Sequence, residues 1–234
     1  MVILKIKAKC CIMIILRRKV RWADILSVSF CLTATLDGDI EGLISSLPFG
    51  ISEQERLCSM KNDSARRSSL ASLLALRSLL PESCDDLTIL RTQNRKPYFG
   101  SHPLHFSLSH IDGISVCAIS DTPVGIDIEW LDRERNFLDV SRRFFSLDEQ
   151  KLIEESLTPS FDFYSLWTKK EALAKLTGEG LISVCSAKSH DEGYYTQYIL
   201  EHEGRRAILS ICSANPENTP VLYPQSGLNI KGEI

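Results

Sequence analysis

The sequence lacks a basic surplus and a metal-type cysteine pattern. Its 27 Lys and Arg residues are outnumbered by 30 Asp and Glu residues, whereas a general nucleic-acid binder needs a basic excess. None of its eight cysteines lies in a C-x-x-C pair or in a Cys/His cluster with zinc spacing. We therefore expect no nucleic-acid partner. We also expect free thiols in a reducing, cytoplasmic compartment rather than a disulfide framework.

The N-terminal residues lack the marks of a membrane span or a secretory signal. The apolar run at 10–16 is too short to cross a bilayer. Basic residues follow it at 17–19, where a signal peptide would have a small-residue cleavage site. We predict that residues 1–26 are an extension of uncertain order and that the protein has no membrane partner. At the other end, three prolines in 215–234 predict a loose C-terminal tail.

Between these ends, strand and helix patterns alternate as in a mixed α/β fold. Apolar and β-branched runs predict strands near 28–34, 104–108, 114–119, 124–129, 194–200 and 206–212. Helical patterns occur from 52 towards 76, and at 137–145, 147–157 and 161–176, where Gly178 is a natural C-cap.

Two short segments carry the residues that predict chemistry. Residues 124–130 form a strand pattern in which Asp127 and Glu129 point to the same face. Residues 167–175 form a helix pattern in which Glu171 and Lys175 share a face. Three carboxylates beside one ammonium suit a divalent cation and the transfer of a phosphoryl-type group. Taken singly, solvated strand-end acids and an ordinary i,i+4 ion pair remain the alternatives.

These segments resemble two motifs of the surfactin-synthetase-type 4′-phosphopantetheinyl transferases. That family has a G-[IV]-D-x-E strand and, roughly forty residues later, a W-[ST]-x-K-E-[AS]-x-x-K helix. Further elements resembling K-P-[YF], F-N-[LI]-S-H, R-F-F-x-x-x-E and G-x-G-L follow the family's order at 96–98, 106–110, 143–149 and 178–181. Ser107 stands where the family usually has Asn. The match extends over roughly residues 56 to 185.

The resemblance implies an α/β (α+β) fold of two similar lobes with pseudo-twofold symmetry and the active site in the cleft between them. We place the lobes at 27–130 and 131–214. The implied reaction is the Mg²⁺-dependent transfer of the 4′-phosphopantetheine arm of coenzyme A to a serine of an apo acyl or peptidyl carrier protein, with release of 3′,5′-ADP. Since the cleft lies within one chain, we expect a monomer.

The resemblance also implies roles for the acidic residues and for Lys175. Asp127, Glu129 and Glu171 would hold Mg²⁺, and Lys175 would neutralise or protonate the leaving phosphate. Glu149 has two interpretations. It completes a capping box with Ser146, and the family suggests a general base. Glu171 and a metal-bound water are the other candidate bases.

A further set of residues is implied in binding coenzyme A. Ser109 and His110 match the family's S-H element, which contacts phosphates. Arg67 and Ser68 resemble an R-[ST] element near the 3′-phosphate. Lys96 would meet the nucleotide end, Arg56 is a further basic contact, and Lys175 belongs to the same set. Solvated helix charges are the alternative for both arginines.

Two other functions compete with the transferase. One is a catalytically idle paralogue that only binds coenzyme A or a carrier domain, which the intact acidic residues and Lys175 argue against. The other is a different Mg²⁺-dependent nucleotide hydrolase, which the absence of a P-loop and of a second acidic cluster argues against.

Overall fold

The structure, a computed structural model, describes residues 26–36, 38–81, 84, 87–133, 136–186 and 193–234. The predicted extension 1–26 lies outside the described residues except for Leu26, which begins the first strand. No helix in these ranges is long and apolar enough to cross a membrane.

The described residues form a mixture of strands and helices, as predicted. The strands are β1 (Leu26–Leu32), β2 (Ile89–Arg91), β3 (Pro97–Phe99), β4 (His105–Ile111), β5 (Ile114–Ser120), β6 (Val124–Trp130), β7 (Tyr194–His202), β8 (Arg205–Ser213), β9 (Pro220–Tyr223) and β10 (Asn229–Glu233). The helices are α1 (Ile40–Ser45), α2 (Gly50–Cys58), α3 (Asp63–Leu79), α4 (Phe137–Phe144), α5 (Leu147–Glu155), α6 (Pro159–Thr177) and α7 (Leu181–Ser186). The mixed α/β fold class is therefore confirmed.

Two four-stranded sheets organise the fold. The first has the order β4-β5-β1-β9 and the second has the order β10-β7-β8-β6, while β2 and β3 pair separately. Each strand of the first sheet packs on two sides because successive side chains point to opposite faces. Val28 and Phe30 of β1 join a core shared with Ile126 and Leu209 of the second sheet, whereas Cys31 joins the core around α3.

Strands β4 and β6 bring the two sheets into contact. The Oγ of Ser107 on β4 accepts a hydrogen bond from the backbone N–H of Ile126 on β6, at 3.1 Å. The serine that replaces the family's usual asparagine therefore sits at a junction between the sheets, one residue from Asp127.

The C-terminal residues differ from the prediction of a loose tail. Strand β9 pairs in parallel with β1, and β10 pairs antiparallel with β7. Leu222 and Ile230 pack against the shared core, and Gln225 accepts a hydrogen bond from the N–H of Leu32 at 2.6 Å. Pro220 is tolerated in β9 because it is the first residue of an edge strand, and Pro216 and Pro224 lie outside that strand.

The predicted lobe boundary after residue 130 does not follow the sheets. Strand β6, which we assigned to the first lobe, forms ladder hydrogen bonds with β8 and belongs to the second sheet. The division into two lobes and their pseudo-twofold symmetry stay predictions.

Candidate active site

The site is built where helix α6 touches strand β6. Gly125 permits this contact, because a Cβ at that position would overlap the backbone carbonyl oxygen of Ala172 and approach the backbone nitrogen of Leu176 to 2.6 Å. The helix ends at Gly178, whose left-handed φ of 77° confirms the predicted C-cap. The close approach brings the last turns of α6 over the acidic end of β6.

Three polar groups meet at this contact. The Nζ of Lys175 donates to Oδ1 of Asp127 at 2.7 Å and to Oγ of Ser109 at 2.8 Å. The Ser109 hydroxyl in turn donates to the same Asp127 oxygen at 2.8 Å. Asp127 is only 6% exposed, so its charge is balanced by an ammonium rather than by bulk water. The structure therefore joins residues from β4, β6 and α6.

Glu129 and Glu171 lie beside this cluster. Glu129 is buried, and its two carboxylate oxygens accept from Nη1 of Arg133 at 3.0 and 3.2 Å. Glu171 lines the same cavity as Glu129, Asp127 and Lys175. These four residues thus line one cavity, and the roles predicted for them stay predictions.

The cavity has a volume of about 970 Å³ and lies between the two sheets. Of the residues predicted to bind or react, it is lined by Ser68, Ser109, His110, Asp127, Glu129, Glu171 and Lys175. His110 is exposed at its rim. Desolvation and the nearby Lys175 ammonium lower the pKa of His110, while Asp127 acts in the opposite direction. The imidazole is therefore neutral at pH 7 and offers one N–H donor.

A smaller pocket of about 300 Å³ adjoins the cavity at the start of α3. Ser68 lines both spaces, and Arg67 lines only the smaller one. Arg67 donates to Asp63 at 2.8 Å and to the carbonyl of Leu36 at 3.0 Å. Arg67 thus lies next to the cavity, with its guanidinium already held by two acceptors.

Comparison with known proteins places the chain in a family. The model of the 4′-phosphopantetheinyl transferase superfamily matches residues 123–221. The 4′-phosphopantetheinyl transferase psf-1 of Bacillus pumilus is 38% identical over 116 residues, which cover 47% of this chain and 49% of that protein. The 4′-phosphopantetheinyl transferase AcpT of Escherichia coli K12 is 30% identical over 150 residues, which cover 61% of this chain and 75% of that protein. The chain belongs to the 4′-phosphopantetheinyl transferase superfamily.

The predicted surfactin-synthetase-type membership is confirmed by relatives from Bacillus. Besides psf-1, the 4′-phosphopantetheinyl transferase Sfp of Bacillus subtilis 168 is 30% identical over 131 residues, covering 48% of this chain and 56% of Sfp. The chain spans about half the length of the first relatives that it matches. The match to the superfamily model contains β6 and α6, and with them all three predicted metal ligands.

Two basic residues predicted to bind coenzyme A lie away from the cavity. The half-buried ammonium of Lys96 donates to the carbonyl of Leu176 at 2.6 Å, and burial lowers the pKa of Lys96. Arg56 pairs with Glu53 at 2.9 Å, and Arg91 also donates to this glutamate, which is 1% exposed. The structure thus gives Lys96 a place at the C-terminal end of α6 and Arg56 a place in a buried ion-pair cluster. Neither placement supports a contact with the superfamily's cosubstrate.

The capping interpretation of Glu149 is confirmed. Its carboxylate accepts from the N–H of Ser146 at 2.7 Å, and its own N–H donates to the Ser146 hydroxyl at 3.2 Å. The other oxygen lies 3.0 Å from Nζ of the buried Lys170. Burial raises the pKa of Glu149, but the Ser146 N–H and the Lys170 ammonium outweigh it, so the pKa lies below its ordinary value. Glu149 does not line the cavity, and its role as a base stays a prediction.

The basic and aromatic end of the cavity was not predicted from the sequence. Trp130, Arg133 and Arg205 line it, and the Arg205 guanidinium lies 4.1 Å from the centre of the Trp130 ring. Arg205 also makes two hydrogen bonds with the carboxylate of Asp132, at 2.8 and 2.9 Å. Arg205 follows the β7–β8 turn, and nothing in its local sequence signals that β8 would carry it beside β6.

The carboxylates that line the cavity are the type of ligand that a hard divalent cation prefers. Mg²⁺ prefers oxygen ligands, and Asp127, Glu129 and Glu171 supply them from adjacent elements. Within the described ranges, no group of three or more His, Cys, Asp or Glu side chains is close enough together to hold a metal ion. Lys175 and Arg133 instead balance two of the carboxylates. The assignment of these residues as metal ligands stays a prediction.

Proposed function

We propose that this chain transfers the 4′-phosphopantetheine arm of coenzyme A to a serine hydroxyl of an apo acyl or peptidyl carrier protein. The observation that supports the proposal most is the joining of Asp127, Ser109 and Lys175 beside Glu129 and Glu171 in one cavity. The two acidic motifs supply Asp127, Glu129, Glu171 and Lys175, and the S-H element supplies Ser109, so these residues come from three separate elements. A cavity of about 970 Å³ also suits a ligand of nucleotide size.

The proposed reaction is a displacement at phosphorus. The carrier's serine oxygen attacks the β-phosphorus of the pyrophosphate, the bond from that phosphorus to the bridging oxygen breaks, and 3′,5′-ADP leaves. The serine proton goes to a base, and charge grows on the oxygen that leaves. Lys175 would neutralise or protonate that oxygen, because its ammonium already points towards the acidic end of the cavity.

Mg²⁺, held by Asp127, Glu129 and Glu171, would supply electrostatic stabilisation of the pyrophosphate when bound. Arg133 and Lys175 pair with two of these carboxylates, so their positive charges would also lie beside the pyrophosphate.

Glu171 is the better candidate for the base that accepts the serine proton. Glu171 lines the cavity, whereas Glu149 lies outside it and has both oxygens engaged by Ser146 and Lys170. The lowered pKa of Glu149 also makes it a weaker proton acceptor.

The nucleotide end of coenzyme A would lie towards the start of α3. Ser68 lines both spaces there, and Arg67 and His110 offer donors on either side of it. The neutral His110 ring would give one hydrogen bond to a phosphate oxygen. We propose that a monomer is sufficient for the reaction, since all these residues belong to one chain.

The test is to incubate the protein with coenzyme A, Mg²⁺ and several apo carriers and to weigh the carriers by mass spectrometry. The proposal predicts a mass gain of one phosphopantetheine arm on a serine, together with 3′,5′-ADP. Tight coenzyme A binding without any gain in carrier mass would favour the idle paralogue instead. Cleavage of coenzyme A without a carrier would favour the hydrolase.

A further inference from the structure

A row of polar side chains crosses the second sheet beneath α6. Asp127 on β6 is the register partner of Ser210 on β8, and Ser210 is the register partner of Gln197 on β7. Register partners project from the same face of a sheet. The row therefore leads from the cavity at Asp127 into the protein interior, where Ser210 is 0% and Gln197 is 4% exposed.

Helix α6 is hydrogen-bonded to the buried part of this row. The amide nitrogen of Gln197 donates to the Ser210 hydroxyl at 2.7 Å and to the Ser165 carbonyl at 3.0 Å, and its amide oxygen accepts from the Ser165 hydroxyl at 2.9 Å. The hydroxyls of Ser210 and Thr168 are 2.6 Å apart. Since the Thr168 hydroxyl donates to the carbonyl of Tyr164 at 2.8 Å, Ser210 must donate to Thr168.

In this network every hydrogen of the Gln197 amide and of the Ser165, Thr168 and Ser210 hydroxyls has an acceptor. Apolar packing around α6 is strong but non-directional, so it does not by itself select one rotation of the helix. A fully satisfied buried network does select one arrangement, because any other leaves a polar group unpaired in a region of low dielectric. The network thus adds a directional constraint on how α6 lies on the sheet.

The network is linked to Lys175 through the geometry of the helix. Thr168 precedes Lys175 by seven residues, which is about two turns, so both side chains lie on nearly the same side of α6. Thr168 contacts Ser210 in the polar row, and Lys175 contacts Asp127 in the same row. A rotation or slide of α6 that breaks the first contact also moves Lys175 relative to Asp127.

We infer that Thr168, Ser210 and Gln197 are positioning residues that set the rotation and register of α6. Through α6 they hold Lys175 and Glu171 against the cavity, although they touch no reacting atom. The inference about catalysis rests on the proposed transfer. A misplacement of reacting groups by about 1 Å can cost on the order of a hundredfold in rate.

The experiment replaces the network by apolar side chains of similar shape, as Thr168→Val, Gln197→Met and Ser210→Ala in one variant. These changes remove the fully buried hydroxyls and the amide of the network together. The Ser165 hydroxyl loses its acceptor but is only partly buried, so folding is largely preserved. The matched control is Ser29→Ala with Ser78→Ala, which removes another strand–helix hydroxyl pair, 2.7 Å apart, between β1 and α3. For each protein one measures the melting temperature, kcat, KM for coenzyme A, and amide hydrogen exchange across 165–177.

We expect kcat of the network variant to fall on the order of tenfold to a hundredfold, with little change in KM and with faster exchange in α6. The control and Thr168→Ser, which keeps the hydroxyl, should match the wild type. A wild-type kcat in the network variant would overturn the inference and leave the proposed function standing. If the triple variant does not fold, Thr168→Val alone is judged by the same measurements.

Failure of the proposed function itself is distinguishable, because the wild type would then transfer nothing to any carrier. In that case hydrogen exchange still tests whether the network positions α6. Faster exchange in α6 of the network variant, but not of the control, would support the positioning of the helix by Thr168, Ser210 and Gln197. Unchanged exchange would overturn it.

Discussion

Carboxylates at the cavity and carboxylates away from it have similar partners but different surroundings. Asp127 pairs with Lys175 at 2.7 Å, and Glu149 pairs with Lys170 at 3.0 Å. The first pair opens onto a cavity of about 970 Å³. The second joins α5 to α6, and Glu149 also accepts from the N–H of Ser146. An ion pair alone therefore does not distinguish the carboxylate proposed to act in catalysis from the one that caps a helix, whereas access to a ligand-sized space separates them.

Glu53 extends the comparison to the other side of the molecule. Its side chain is 1% exposed and pairs with Arg56 on the same helix and with Arg91, which connects α2 to β2. These two guanidinium groups hold the pKa of Glu53 below its ordinary value even though burial raises it. Like Glu149, Glu53 joins two elements through an ion pair. Of Asp127, Glu149 and Glu53, it is the most deeply buried.

The sharpest test of the comparison is Asp127→Ala. We expect transfer to fall by a factor on the order of a thousand or more, because the change removes both a proposed metal ligand and the partner of Lys175. The fold should survive, since Lys175 is partly exposed and keeps its contact with Ser109. Carrier mass and the melting temperature are the measurements. Near wild-type transfer by a folded Asp127→Ala protein would refute the assignment.

A smaller effect is expected for His110→Ala, and it concerns ligand discrimination. If His110 contacts the 3′-phosphate, the mutant should lose about 1.5–3 kcal/mol of binding to coenzyme A but little to dephospho-coenzyme A. The measurement is a double cycle of two ligands and two proteins. Additive penalties would instead assign His110 to the pyrophosphate or to a structural role.

The pH dependence of binding gives a second check on His110, whose pKa lies below its ordinary value. Lowering the pH through this pKa should strengthen coenzyme A binding, because the ring gains a positive charge.

Glu149→Gln should change transfer by less than about threefold if Glu149 is only a cap and an ion-pair partner, whereas a lost base would cost about a hundredfold or more. The substitution Glu149→Gln should instead lower the stability of the fold. Because the folded pKa is depressed below 4.5, the ionised Glu149 stabilises the fold above that pH, and this contribution is lost as the pH falls through the folded pKa. The difference in melting temperature between wild type and variant should therefore be present at pH 7 and shrink in acid. A difference that grew in acid would contradict this account.

Glu53→Gln should have the least effect on transfer of these changes. It leaves the cavity untouched but removes the negative charge between two arginines, so we expect a loss of about 1–3 kcal/mol in the free energy of unfolding. Denaturant unfolding and kcat measured on the same sample provide the check. A fall in kcat without a loss of stability would mean that the Glu53 cluster does influence the cavity.

The sequence by itself determined the local part of the site. Residue spacing put Asp127 and Glu129 on one face of a strand and Glu171 and Lys175 on one face of a helix, because these periodicities depend only on backbone geometry. Gly178 marked the end of α6 for the same kind of reason, and the order of the motifs indicated the superfamily. The capping box at Ser146 was likewise visible, since it involves residues three apart.

Only the tertiary structure decided which of these local groups meet. Asp127 pairs with Lys175 because Gly125 lets α6 approach β6, and nothing in either segment shows that contact by itself. The same holds for Lys96 at the end of α6 and for the C-terminal strands, whose partners are β1 and β7. Pairings of this kind join residues distant in sequence, so their free energy depends on which edges and faces the rest of the fold leaves available.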